Sequence, residues 1–126
     1  MSWTTKVQIA EDLSVGGTEL FSDAVTLKSD ETAHVQVKGD FPVTPADNLE
    51  IRVYTTQDAT SEVWDTTSFS DVVTLVNTTD PGYISVTVTG CYKFRLGFVR
   101  TGTTDTITVN AYEMRNGDYH DCTLDI

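Results

Sequence analysis

Tyr83-Ile-Ser-Val-Thr-Val-Thr89, a lone Gly90, then Cys91-Tyr-Lys-Phe-Arg-Leu-Gly-Phe98: the reading of this stretch decides the fold. Ile84, Val86 and Val88 alternate with Ser85, Thr87 and Thr89. Beyond the glycine, Tyr92, Phe94, Leu96 and Phe98 alternate with Lys93, Arg95, Gly97 and Val99. A period of two places one set of side chains on each face of a strand, so each run is a strand with an apolar and a wetter side. The glycine between them is a corner.

The same alternation recurs along the chain. It appears at Val7 and Ile9, at Ala33, Val35 and Val37, at Leu49, Ile51 and Val53, and at Ile107, Val109 and Ala111. Ala24 to Leu27 and Phe69 to Val76 are less regular but β-rich, and Asp71 inside the second marks a bulge or an edge strand. Turn residues fall at Gly16-Gly17, Lys28 to Glu31, Gly39 to Pro42, Pro45 to Asn48, Asn77 to Gly82, Thr101 to Asp105 and Asn116-Gly117. That rhythm is the one an all-β sandwich or barrel requires. Helical periodicity is nearly absent, and Ala10 to Val15 runs into Gly16-Gly17 before a stable helix is possible. Composition agrees: 22 Thr and 15 Val in 126 residues are β-branched side chains that favour a pleated surface.

The expected architecture is one antiparallel β-sandwich of seven or eight strands spanning residues 1–126. Residues 1–5 form an N-terminal arm and 116–126 a C-terminal arm or short added strand. Between the two sandwich types, the corner is informative. A strand, a one-glycine turn and Tyr92-x-Phe94-x-Leu96 resemble the E–F corner and F strand of fibronectin type III and related immunoglobulin-like domains. That resemblance implies that the Tyr92 hydroxyl bonds back to the corner at Gly90, and that Asp105 to Met114 follows as the last strand. An immunoglobulin-like order is therefore favoured over a jelly roll.

Charge narrows the function. Nineteen Asp and Glu against eight Lys and Arg leave a net charge of −11, too few cations for the dense basic stripe that nucleic acid or an anionic membrane demands. No apolar run is long enough to span a bilayer as a helix. Met1 to Lys6 lacks the apolar segment of a secretory signal, so synthesis in a cytosol is expected and Cys91 and Cys122 are read as free thiols.

Candidate chemistry is sparse. His34 lies on the polar side of a strand and reads as an exposed cross-strand partner. His120 among Asp118 and Asp121 reads as a solvated tail, and Asp58, Glu62 and Asp65 as a solvated loop lacking the spacing and central glycine of a calcium loop. Asn77-Thr78-Thr79 fits a glycosylation acceptor but reads as the start of a turn. Phosphate-binding, acyl-transfer and dithiol motifs are missing. No metal, cofactor or catalytic residue is expected. The aromatic residues Trp3, Trp64 and Tyr119 are the candidate contacts for a protein or a glycan, since a large ring near a loop or terminus combines apolar area with a polar handle. Tyr54 is a further stacking candidate.

Three segments carry a wider resemblance: Gly39 to Tyr54, Trp64 to Thr67 and Tyr92 to Gly102. They are similar to small Thr- and Asp-rich β-sandwich virion proteins of tailed bacteriophages, over residues 5 to 115. The resemblance implies a structural role in the virion without catalysis, as a decoration (cement) protein on the capsid or a neck or tail accessory. Its partners are then the major capsid protein or another virion protein, together with further copies of itself, as in a trimer. Two other classes stand beside it: a carbohydrate- or receptor-binding module, and a small hydrolase built on an acidic pair.

Overall fold

Alternation becomes pairing in a computed structural model, which describes residues 2–3, 5–28, 31–56, 71–89 and 93–117. Among the described residues ten strand segments follow one another: β1 (Ser2–Trp3), β2 (Val7–Val15), β3 (Leu20–Phe21), β4 (Val25–Thr26), β5 (Glu31–Asp40), β6 (Leu49–Thr56), β7 (Asp71–Leu75), β8 (Gly82–Val88), β9 (Lys93–Arg100) and β10 (Ile107–Gly117). β1 and β2 both pair with β10, and β3 and β4 both pair with β9, so the segments occupy eight strand positions. Every pairing is antiparallel.

Sheet A runs β1/β2–β10–β5–β8 and sheet B runs β3/β4–β9–β6–β7. The inward residues of both sheets meet in one core. Phe94, Leu96 and Phe98 from β9, Leu49 and Ile51 from β6, Val35 and Val37 from β5, and Ile107 and Val109 from β10 are all sealed from solvent. Each such side chain contributes roughly 1.5–3 kcal/mol of transfer free energy.

The sandwich is the one expected, but its strand order is that of the jelly roll and not the immunoglobulin-like order favoured above. In immunoglobulin-like domains the last strand joins the sheet of the strand before it. Here β9 lies in sheet B and β10 in sheet A. With β1/β2 and β3/β4 each counted as one position, the chain changes sheet at every step except β6–β7, as two Greek keys folded together require. The reason lies in the connection 101–106. It reads as a hairpin turn, yet it is tied down as a crossover: Thr101 N–H donates to Asn48 C=O (3.0 Å), and Arg100 donates to the carbonyls of Gly102 (3.1 Å) and Asp105 (2.8 Å).

The structure adds detail at three further places. Ser2–Trp3 pairs with Asn116 and Gly117, so the described part of the N-terminal arm is a paired strand, and β10 continues through the first two residues of the expected C-terminal arm or added strand. Ala10 to Val15, too short for a helix, completes β2. Of the bulge or edge read from Asp71, the structure shows the edge, and the bulges lie elsewhere. β7 is a plain edge strand, whereas β2 slips twice against β10, between Val109 and Ala111 and between Ala111 and Tyr112. At the first slip Asp12 takes a positive φ of 47°, a conformation Asp tolerates better than most residues. Asn110 fastens it: its Oδ1 accepts from Asp12 N–H and from Gln8 Nε2, both at 3.0 Å.

Candidate functional site

The outer face of sheet A is assembled from rows set by strand register. Gln8, Tyr112, Gln36 and Ser85 form one row; Met114, His34 and Thr87 form the next; Asn110, Lys38 and Tyr83 lie on the other side. Their in-between neighbours Ala33, Val35, Val37, Val86, Val109 and Ala111 are buried, which forces the polar set outward. Lys6, His34, Gln36, Ser85, Thr87, Tyr112 and Met114 line an open hollow of about 290 Å³. Lys6 Nζ stands 4.8 Å from the centre of the Tyr112 ring, a cation–π contact.

Two properties set this face apart. In a chain of net charge −11, the outward positions of β10, β5 and β8 carry a single carboxylate, Asp40, which sits at a strand end 3.8 Å from Lys38 Nζ. In addition, the exposed side chains of Gln36, Ser85 and Thr87 make no hydrogen bond to another side chain or to the backbone among the described residues. The face offers amide, hydroxyl and cationic donors to an outside surface.

The outer face of sheet B is closed on itself. Glu19 bridges Arg52 (3.4 Å) and the Tyr54 hydroxyl, which donates at 2.7 Å, while Arg52 also pairs with Glu50. The Arg95 guanidinium lies 3.9 Å from the Phe21 ring centre, and Phe21 meets Tyr54 edge-on at 5.7 Å. Burial pushes the Tyr54 phenol upward, and the hydrogen bond to Glu19 adds to it. Gly97 makes the cluster possible: a Cβ there would collide with the Glu19 carboxylate and come within 2.9 Å of the Tyr54 ring.

Among the described residues, four buried carboxylates, Glu31, Asp47, Asp105 and Glu113, are held in structural contacts. Asp105 Oδ2 accepts from the N–H groups of Ala46 (2.7 Å) and Asp47 (2.8 Å), and Asp47 Oδ2 accepts in return from Thr104 (2.8 Å) and Asp105 (2.7 Å). The bond from the Asp105 N–H, with help from Thr104 and Arg100, holds the Asp47 carboxyl below its usual range against the opposing effect of burial. At one end of the sandwich Glu31 accepts from Lys28 N–H (2.7 Å), and Glu113 Oε1 pairs with Arg115 Nε (3.2 Å). Burial pushes the Glu113 carboxyl up, Arg115 opposing and Glu31 adding to the rise.

Of the aromatic candidates, Trp3 is placed by its backbone alone, opposite Asn116. Trp64 and Tyr119, the corner residues Gly90 and Tyr92, and Cys91, Cys122, His120, Asp58, Glu62 and Asp65 lie outside the described residues. Tyr54 is 5% exposed and cannot serve as a stacking platform. His34 is exposed as expected, opposite Thr87 and Met114, and in addition lines the hollow. Gln36, Ser85, Thr87 and Tyr112 were visible in the sequence as the polar half of each alternation, but only register shows that they are neighbours. Among the described residues no group of three His, Cys, Asp or Glu is placed to hold a metal ion, and no helix is long and apolar enough to cross a membrane. No family model matches this chain, and no curated protein is significantly similar to it.

Proposed function

We propose that this protein is a virion structural protein of a tailed bacteriophage, a decoration protein that lies on the head with the outer face of sheet A against the capsid. The observation that carries the binding role is the carboxylate-poor, hydrogen-bonding face on an otherwise acidic chain. Net charge repels other acidic surfaces, whereas this one face can approach a partner without like-charge cost. The phage setting rests on the resemblance of Gly39 to Tyr54, Trp64 to Thr67 and Tyr92 to Gly102 to virion sandwiches. The jelly roll recurs in viral capsid and lectin domains, an argument from fold alone.

The test is mass spectrometry of purified particles, with addition of the protein to undecorated shells. The proposal expects the chain in the particles and a rise in the shells' resistance to heat. Particles that lack it, or shells it neither binds nor protects, refute it.

A second reading, a carbohydrate-binding module, is favoured by one feature: Gln36, Ser85 and Thr87 beside the Tyr112 ring suit a polyhydroxylated ligand. A glycan array showing binding that Gln36→Ala abolishes would establish it over the first reading.

A further inference from the structure

The four sheet edges are not equally protected. β2 bulges twice and carries Glu11 and Asp12. The opposite position in sheet B is broken into two two-residue pieces, β3 and β4. β7 is five residues long and begins with Asp71. Bulges, short strands and charges are the devices that keep edges from pairing with other chains. β8 has none of them. It runs seven residues, Gly82–Val88, pairs regularly with β5 on one side, and from Pro81 to Tyr92 the chain has no charged residue. Among the described residues nothing pairs with its other side, where every second N–H and C=O points outward.

We infer that β8 is the site where a second copy of this chain pairs, antiparallel and two-fold, joining two A sheets into one. The strand is complementary to itself. With the axis at Val86, Ser85 faces Thr87 of the other copy and Ile84 faces its Val88, so hydroxyl meets hydroxyl on the outer face and branched aliphatic meets branched aliphatic on the inner one. A second copy also answers the charge problem. Two chains of net charge −11 meet with least repulsion along a stretch without carboxylates, and this stretch lies beside the carboxylate-poor face. The two hollows, each edged by Ser85 and Thr87, then flank the axis and form one wide face. The inference rests on the edge and not on the identity of the proposed partner.

Sedimentation equilibrium on the full chain tests it. Wild type is expected to reach the mass of two chains, with association strengthened by added salt as net repulsion is screened. The double variant Ser85→Lys/Thr87→Lys sets lysines opposite one another across the axis, and its dissociation constant rises roughly tenfold or more. It also lowers the magnitude of the net charge, so weaker association there cannot come from general repulsion. Ser14→Lys, on the far edge, leaves the dimer intact. A wild-type mass of one chain or of three, or a dimer unchanged in the double variant, overturns the inference. Should the double variant fail to fold, hydrogen exchange on the wild type decides: β8 amides pointing away from β5 gain protection as concentration rises, and their free exchange at all concentrations refutes it.

Discussion

On sheet B, the outward residues Glu19, Phe21, Glu50, Arg52, Tyr54 and Arg95 contact one another in pairs and stacks; on sheet A, the outward residues Gln36, Ser85 and Thr87 make no hydrogen bond to another side chain among those described. Both faces come from the same alternation of polar and apolar positions. They differ because sheet B receives residues from its flanks: β3 lays Phe21 across Gly97, and the segment before it brings Glu19 over Tyr54. A polar residue whose partners are internal supports the fold, whereas one whose partners are water is available to a ligand.

The sharpest way to break this contrast is to truncate the matching tyrosines. Tyr54→Ala removes a buried aromatic and is expected to cost about 3 kcal/mol or more in urea unfolding, in the range for large-to-small core changes. Tyr112→Ala, half-buried and in cation–π contact with Lys6, should cost about 1 kcal/mol. Equal losses would mean that the two faces are equally structural.

Next in size is Gly97→Ala, which forces Glu19 and Tyr54 apart and should cost about 1–3 kcal/mol as overpacking does. Thermal melting measures it, and pairing it with Glu19→Ala, which clears the space, should recover part of the loss. The carboxylates held between backbone N–H groups respond to pH instead. Because folding lowers the Asp47 value, its contribution is present above the ordinary carboxylate range and is lost as pH falls through the folded value. Asp47→Asn should therefore melt below wild type at neutral pH, and the gap should close on acidification. A gap constant with pH would remove the assigned cause.

The smallest expected effect on stability is on the open face. Gln36→Ala and Thr87→Ala should change unfolding free energy by no more than about 0.5 kcal/mol, as exposed positions do, while weakening attachment to capsid shells. Loss of stability with unchanged attachment would reverse the roles given to the two faces.

Much of this was legible in the chain. The strands at Ala33 to Val37, Leu49 to Val53, Ile84 to Val88 and Ile107 to Ala111 appear where the period of two puts them, and Asp71 marks an edge strand. The short strands β1 and β3 were not legible, because two residues carry no period and exist only through pairing with β10 and β9. The hollow was half legible: its polar residues could be named, but not the rows that join Tyr112 to Gln36 and Ser85 across three strands.

Local chemistry alone settled the class of structure and the inside and outside of each strand, because side-chain direction along a strand follows from backbone geometry. Strand order needed the whole molecule. A strand after a glycine corner looks the same in an immunoglobulin-like domain and in a jelly roll, and the choice fell to contacts between loops more than fifty residues apart, Asp47 with Asp105 and Asn48 with Thr101. The same long-range packing decided which polar face is closed and which is open. Alternation turns both Tyr54 and Tyr112 outward, and the difference lies in the distant segments laid over them: Glu19 and Phe21 seal Tyr54, whereas Lys6 leaves Tyr112 half-buried.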